Sequence, residues 1–384
     1  MVTRVPADRG VLKWARERNR LSVERAAALL NCKPSLLEKI EKGAVSPSAT
    51  LFRRMSDVYF LPEATLLGLA TTDRRQLPRD FRSFEGTAVE LSYETLAAIR
   101  KVEARQEALA YLAEIDGSIV APNLPIHFLK EDAGKLGANF RQQLGFPIIS
   151  QLRFRTEQAF TNWRILIENL GVAVYIEPLG EDESRGVSIF FNDFPAIVID
   201  QNEKLFGARS FTLLHEFGHI LLRQSGISNF NSRSTVERFC NQFAAAFLLP
   251  VEAVEAAFPR EVLESEPTIT QLEAAAKKLC VTISQLARRL EDLGRTKTGY
   301  FNRIVSTLSP PAQKKHGKGG PDYKYVYLPR FGHHLPDAVF SSLDRGAITD
   351  IQASRMLDLT PNNFASIRQV IKERRVEIAS EHLH

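Results

Sequence analysis

Cysteine is scarce in this chain of 384 residues. The three that occur, Cys32, Cys240 and Cys280, are scattered without paired metal spacing, and their odd number argues against a disulfide framework. Also lacking is any uninterrupted apolar run of transmembrane length, and Met1 to Gly10 has no apolar core of a secretory signal. The expected setting is therefore a reducing cytoplasm, with no membrane partner. No internal repeat is apparent. A strong charge excess is missing as well: 50 Lys and Arg against 45 Asp and Glu leave +5. The pI near 9.0 permits nucleic-acid contact without demanding it. What remains is an ordinary globular composition, 44% hydrophobic and 25% charged, long enough for two or three domains.

One stretch departs from the ordinary. Phe211 to Leu222 is an apolar run without proline that contains His215-Glu216-Phe217-Gly218-His219. It reads as a buried helix. Residues four apart lie one above the other on a helix, so His215 and His219 share a face and can chelate one ion. Glu216 sits one position on from the first histidine, turned off the chelating face. From there a carboxylate can take a proton from water without itself occupying a coordination site. The bland alternative is a core helix with two hydrogen-bonded histidines, but His and Glu are costly to bury unless paired or bound to metal.

Catalytic zinc usually has three protein ligands and one open position. A candidate third ligand is Glu237, 18 residues beyond His219 (237 − 219). It opens a second helical pattern in which Phe239, Phe243 and Phe247 recur every four residues until Pro250 stops it. Glu237 and Asn241 lie one turn apart on another stripe, so both could face the first helix. Alone, Glu237 could equally be a solvated carboxylate in a helix's first turn, where the dipole favours it. Glu252 and Glu255 are further carboxylates, but they lie beyond Pro250.

The block Thr212-Leu-Leu-His-Glu-Phe-Gly-His219, followed by Glu237-x-x-Cys-Asn-x-Phe-Ala-Ala-x-x-Leu-Leu-Pro250, resembles the ImmA/IrrE family of zinc metallopeptidases. The likeness spans roughly Leu152 to Pro250. It implies zinc on His215, His219 and Glu237, with Glu216 as the base. Two positions depart from the family: Cys240 stands where alanine is usual and Leu249 where methionine is usual.

Toward the N-terminus, Val11 to Arg18, Val23 to Leu30 (capped by Ser22) and Ser35 to Lys42 (after Pro34, ended by Gly43) read as short helices. A fourth begins at Pro47-Ser48 and runs to about Tyr59. The pattern resembles the XRE-type helix-turn-helix of phage repressors. Its reading side is atypical, with Val23 where glutamine is usual and Leu36 and Glu38 outward on the recognition helix, neither of which reads guanine as arginine does. DNA is thus a possible partner of this domain, and a protein-interaction module is the alternative. Leu77-Pro78-Arg79-Asp80-Phe81-Arg82 resembles the family's connector between repressor-like and peptidase domains.

Ser92 to Ile115 reads as one long amphipathic helix, and Gln151 to Leu170 as another, ended by Gly171. Strands are expected at Val172 to Ile176, Val187 to Phe191 and Ala196 to Asp200. One of them, with Val187 to Phe191 the candidate, should form an edge to which an extended peptide substrate could add. Beyond Pro250 helices continue at Ile269 to Lys278 and Gln285 to Asp292. Residues 309–325 read as a loop, and Leu335 to Ile378 as a small helical module with a helix from Ala347-Ile348-Thr349-Asp350 to Leu357. The pairs His333-His334 and His382/His384 are expected to be solvated rather than ligating.

The expected fold is α+β: an all-α helix-turn-helix domain (1–70), a linker with a long helix (71–135), a zincin-like metallopeptidase domain (136–260) and a helical C-terminal region (261–384). The expected function is a cytoplasmic zinc endopeptidase, with a homodimer as a candidate assembly. From the resemblance, its substrate would be a transcriptional repressor or other regulatory protein in stress response, mobile-element or toxin–antitoxin control. The alternative is a DNA-binding regulator or antitoxin that recognises a protein partner with little proteolysis.

Overall fold

Side-chain caps start several helices where the sequence places them. Ser22, Ser48 and Thr349 each accept a hydrogen bond from the backbone N–H three residues on, satisfying a donor the first helical turn leaves unpaired. The computed structural model describes residues 4–69, 91–117, 119–180, 184–190, 193–223, 226–227, 235–259, 262, 265–308 and 323–382. The connector at Leu77 to Arg82 and the loop at 309–322 lie outside them. Two compact units emerge, Met1–Lys101 and Val102–His384.

The first unit holds α1 (Arg9–Arg18), α2 (Val23–Leu29), α3 (Pro34–Glu41), α4 (Ala49–Tyr59) and α5 (Glu63–Leu66). Its core joins Leu12, Ala26, Leu30, Leu37, Phe52 and Met55, all essentially without exposure. Between α1 and α3, Arg16 donates to both carboxylate oxygens of Glu41 at 2.8 and 3.0 Å and to the Leu21 carbonyl at 2.8 Å. That fork-to-fork pair is largely shielded from water, which makes it a stronger fastener than a surface salt bridge. The boundary between the units falls within α6 (Tyr93–Asp116).

In the second unit come α7 (Ala133–Gln143), α8 (Ile148–Arg153) and α9 (Thr156–Asn169). The single helix expected over Gln151 to Leu170 is therefore broken. Phe154 takes an extended conformation (ψ 145°), and its ring packs against Phe146 and Trp163. Gly171, at φ +85°, ends α9 as expected.

The sheet has four strands rather than three, in the order β1 (Ala173–Glu177), β3 (Ala196–Asp200), β2 (Gly186–Ile189), β4 (Gly226–Ile227). β1 and β3 are parallel with Ala173 opposite Ala196, and the other pairings are antiparallel. The expected edge at Val187 to Phe191 is corrected here. β2 is flanked by β3 on one side and, at Val187 and Ser188, by β4 on the other. β1 lies at an end of the sheet, but it too is covered. Arg164 donates to the Val174 carbonyl, and the Val174 N–H meets Glu168 at 3.4 Å.

α10 (Phe206–Leu221) lies along β2 and β3 and packs on α9, while α11 (Thr235–Leu248) packs on α10 and α7. α12 (Val251–Ala257), α13 (Ile269–Leu279), α14 (Ile283–Asp292) and α15 (Tyr300–Thr307) follow. The same apolar core runs from Leu124 to Ile304.

The C-terminal helices are α16 (Tyr323–Phe331), α17 (His334–Asp344), α18 (Asp350–Leu357) and α19 (Phe364–His382). Residues 323–325, expected as loop, begin α16. α16 packs on β1, where Arg105 and Arg330 donate to the two oxygens of buried Glu177 at 2.8 and 2.9 Å. The Arg105 guanidinium also lies between the rings of Tyr175 and Phe331, a cation–π arrangement. This packing corrects the expectation of solvated histidines. His333 is buried, its N–H donating to Glu168, and burial lowers the pKa of His334. The side chains of His382 and His384 lie outside the described residues. Among the described residues, no helix is long and apolar enough to cross a membrane. The expectation of no internal repeat is also corrected, because α2–α3 and α18–α19 share one pattern of turn and buried positions.

Candidate metal centre

α10 is buried on almost every face from Gly207 to Leu221, as expected of a helix apolar all round. Burial extends to His215, Glu216 and His219. The four-residue spacing stacks the two imidazoles with ring centres 5.0 Å apart and their Nε2 atoms at 3.2 Å.

Glu237 arrives from the first turn of α11, itself fully buried. Phe239, Phe243 and Phe247 dock that helix, with Phe243 against Phe217 of α10 and Phe140 of α7. The Glu237 carboxylate straddles the pair, Oε2 at 3.2 Å from His215 Nε2 and Oε1 at 3.3 Å from His219 Nε2. An ion with tetrahedral bonds of ~2.0–2.1 Å separates its ligand atoms by about 3.3 Å. The donor set thus has both the identity and the spacing such an ion requires. Among the described residues, no other three His, Cys, Asp or Glu side chains converge in this way.

The protonation states of His215 and Glu237 suit the same purpose. Burial lowers the His215 pKa even against Glu237 and Asn241, leaving the neutral imidazole a ligand needs. One turn after Glu237, Asn241 Oδ1 lies 3.0 Å from His215 Nδ1. With Nδ1–H donating there, Nε2 carries the lone pair that a ligand needs. Burial works against ionised Glu237, yet the two histidines hold its pKa at about 2. For His219, burial is outweighed by Cys240, Glu237 and Glu216, and its pKa stands well above the usual value. Cys240, the departure noted in the sequence, therefore lies beside the second histidine.

Glu216 lies toward the sheet. A Cβ on Gly186, the first residue of β2, would stand 2.9 Å from its Oε1 and Cγ and 2.5 Å from Thr212 Cγ2. Glycine is what lets strand and helix close around this carboxylate. Sequence reasoning missed Gly186, and only its place at the head of a strand could have signalled it. Glu252 and Glu255 are exposed on α12, away from the centre.

A helix-turn-helix unit followed by an α+β unit built around a buried His-Glu-x-x-His helix defines a metallopeptidase-like regulator. Residues 167–291 match the family described as IrrE N-terminal-like domain, Peptidase M78, and residues 10–67 match a helix-turn-helix domain. The chain thus carries an ImmA/IrrE-type peptidase domain behind a DNA-binding-type helix-turn-helix domain. No curated protein and no solved structure matches it.

Proposed function

We propose that the chain is a zinc endopeptidase that cuts a regulatory protein, such as a transcriptional repressor, in stress response or in mobile-element or toxin–antitoxin control. The observation that carries this reading is the convergence of His215, His219 and Glu237 beside Glu216. Those three residues would hold a zinc ion, which would supply Lewis-acid chemistry, lowering the pKa of water and polarising a peptide carbonyl. Glu216 takes the proton of the attacking water and passes it to the departing amine nitrogen. Asn241 keeps His215 in the tautomer that ligates, and Gly186 leaves Glu216 the room it occupies. A module that only bound its partner would have no use for a buried carboxylate in the position of Glu216.

The test is affinity purification of the chain with proteins from the same cell, comparing the parent with Glu216→Gln. Mass spectrometry should find a partner cut by the parent and intact with the variant, while both keep equal zinc. A partner bound but never cut by the parent would leave recognition without proteolysis as the function.

A further inference from the structure

The peptidase match ends at residue 291 and the helix-turn-helix match at 67, so neither assigns the C-terminal helices. α18 and α19 repeat α2 and α3 at an offset of 327 (358 − 31). Asn31 and Asp358 are both in the left-handed region, at φ 51° and 52°. Ser22 and Thr349 both cap the preceding helix, and Pro34 and Pro361 both follow the turn at the first position of the next. The buried positions coincide as well: Leu21 with Ile348, Ala26 with Ala353, Leu30 with Leu357, Leu37 with Phe364, and Ile40 with Ile367. The leading helices, α1 and α17, end one residue out of that register, at left-handed Arg20 and Gly346 (346 − 20 = 326). Two segments that match in cap, turn conformation and burial are the same helix–turn–helix pair.

A left-handed residue also joins α13 to α14, at Cys280 (φ 56°), but that copy has its second helix tied down. Gln285 donates to the Gly207 carbonyl at 3.3 Å and Arg289 to the Leu249 carbonyl at 2.8 Å. The copy at α18–α19 differs. On the helix after its turn Asn362, Gln369 and Lys372 are exposed and Asn363 and Ser366 half-exposed. Ser366 donates to the Asn363 carbonyl and Gln369 to Glu373, both short-range contacts on that helix. Arg368 is held by Asp344 at 2.6 Å. From Thr360 to Arg375 the sequence has four cations, Arg368, Lys372, Arg374 and Arg375, against one carboxylate, Glu373.

We propose that residues 334–375 form a second helix-turn-helix that reads double-stranded DNA in the major groove. The early residues of a recognition helix are the ones that meet base edges. Here the offset puts Asn363 where the N-terminal copy has Leu36, and Ala365 where it has Glu38. The C-terminal copy thus gains an amide and lacks a carboxylate that would repel phosphate. Asparagine and glutamine pair bidentately with adenine, so the sites selected should contain A·T pairs at the positions these side chains reach. Lys372 supplies phosphate contact, which fixes register without reading sequence.

The inference does not depend on peptidase activity and is tested with the full chain and a pool of random-sequence DNA duplexes at physiological salt. The parent should enrich an A·T-containing motif. Changing Asn363→Ala together with Gln369→Ala should weaken binding to the enriched duplex at least about tenfold, with melting temperature and zinc content unchanged. Lys372→Ala should weaken all duplexes alike and lower the salt slope by about one. If no motif is enriched, or if the double variant binds the motif as tightly as the parent, the proposal fails. In the second case the exposed face of α19 would serve a protein contact or none.

Discussion

Glu237 would bear the greatest burden in the proposed centre, because the two histidines come from one helix and would hold an ion from one side only. Replacing it by alanine leaves two imidazoles with their Nε2 atoms 3.2 Å apart and removes the oxygens that stand 3.2 and 3.3 Å from them. Four-ligand structural zinc sites are worth about 10–16 kcal/mol in all, or about 3–4 kcal/mol per protein ligand. Loss of one should therefore weaken zinc binding by about 10²- to 10³-fold. The assay is competition between protein and a zinc chelator of known affinity, with circular dichroism of each variant. Helical content should hold, since Phe239, Phe243 and Phe247 keep α11 docked in the core. Glu252→Ala and Glu255→Ala are the controls: both residues are exposed on α12, Glu255 paired with Arg295, and both variants should bind zinc like the parent. If Glu237→Ala does so too, the third ligand has been misassigned.

Further outcomes follow from the same geometry. Gly186→Ala should displace Glu216 by up to ~1 Å, enough to lower substrate cleavage about 100-fold, with zinc content unchanged; undiminished cleavage would show that the strand does not position the base. Asn241→Ala should loosen zinc about 10- to 100-fold by freeing the His215 ring, measured with the same chelator. Burial pushes Glu168 up from 4.5 to about 7 against Arg164 and the His333 and Val174 N–H groups. Below 4.5 folded and unfolded chains both hold that proton; between 4.5 and 7 the unfolded chain releases it first, so stability falls as pH rises. The fall is about 1.4 kcal/mol per pH unit and about 3 kcal/mol over the window. Melting curves of Glu168→Gln should lose this slope; an unchanged slope would assign it to another group.

How far the molecule could be read from its residues depends on whether the determinant is local. Caps at Ser22, Ser48 and Thr349 and the four-residue periodicity of α10 and α11 act within a turn or two, so the sequence carries them openly. The chelating pair is local for the same reason. Glu237 was reachable because the phenylalanines that dock its helix recur on a visible stripe. The break at Phe154 was not, since no proline or glycine marks it and the ring's packing on Phe146 and Trp163 decides it. β4 is two residues long, too short for any alternation to show. Gly186 looks like a weak strand former, and its reason, Glu216, lies 30 residues away (216 − 186). The repeat of α2–α3 in α18–α19 hides because its matched positions share burial and backbone conformation more than residue type: Leu37 becomes Phe364, and Asn31 becomes Asp358. The covering of β1 is the most remote case. Glu177 is neutralised in part by Arg330, 153 residues later, and the backbone N–H of His333 reaches Glu168. A buried carboxylate without such partners would cost several kcal/mol, so the C-terminal helices are part of what lets the peptidase sheet carry Glu177 where it does.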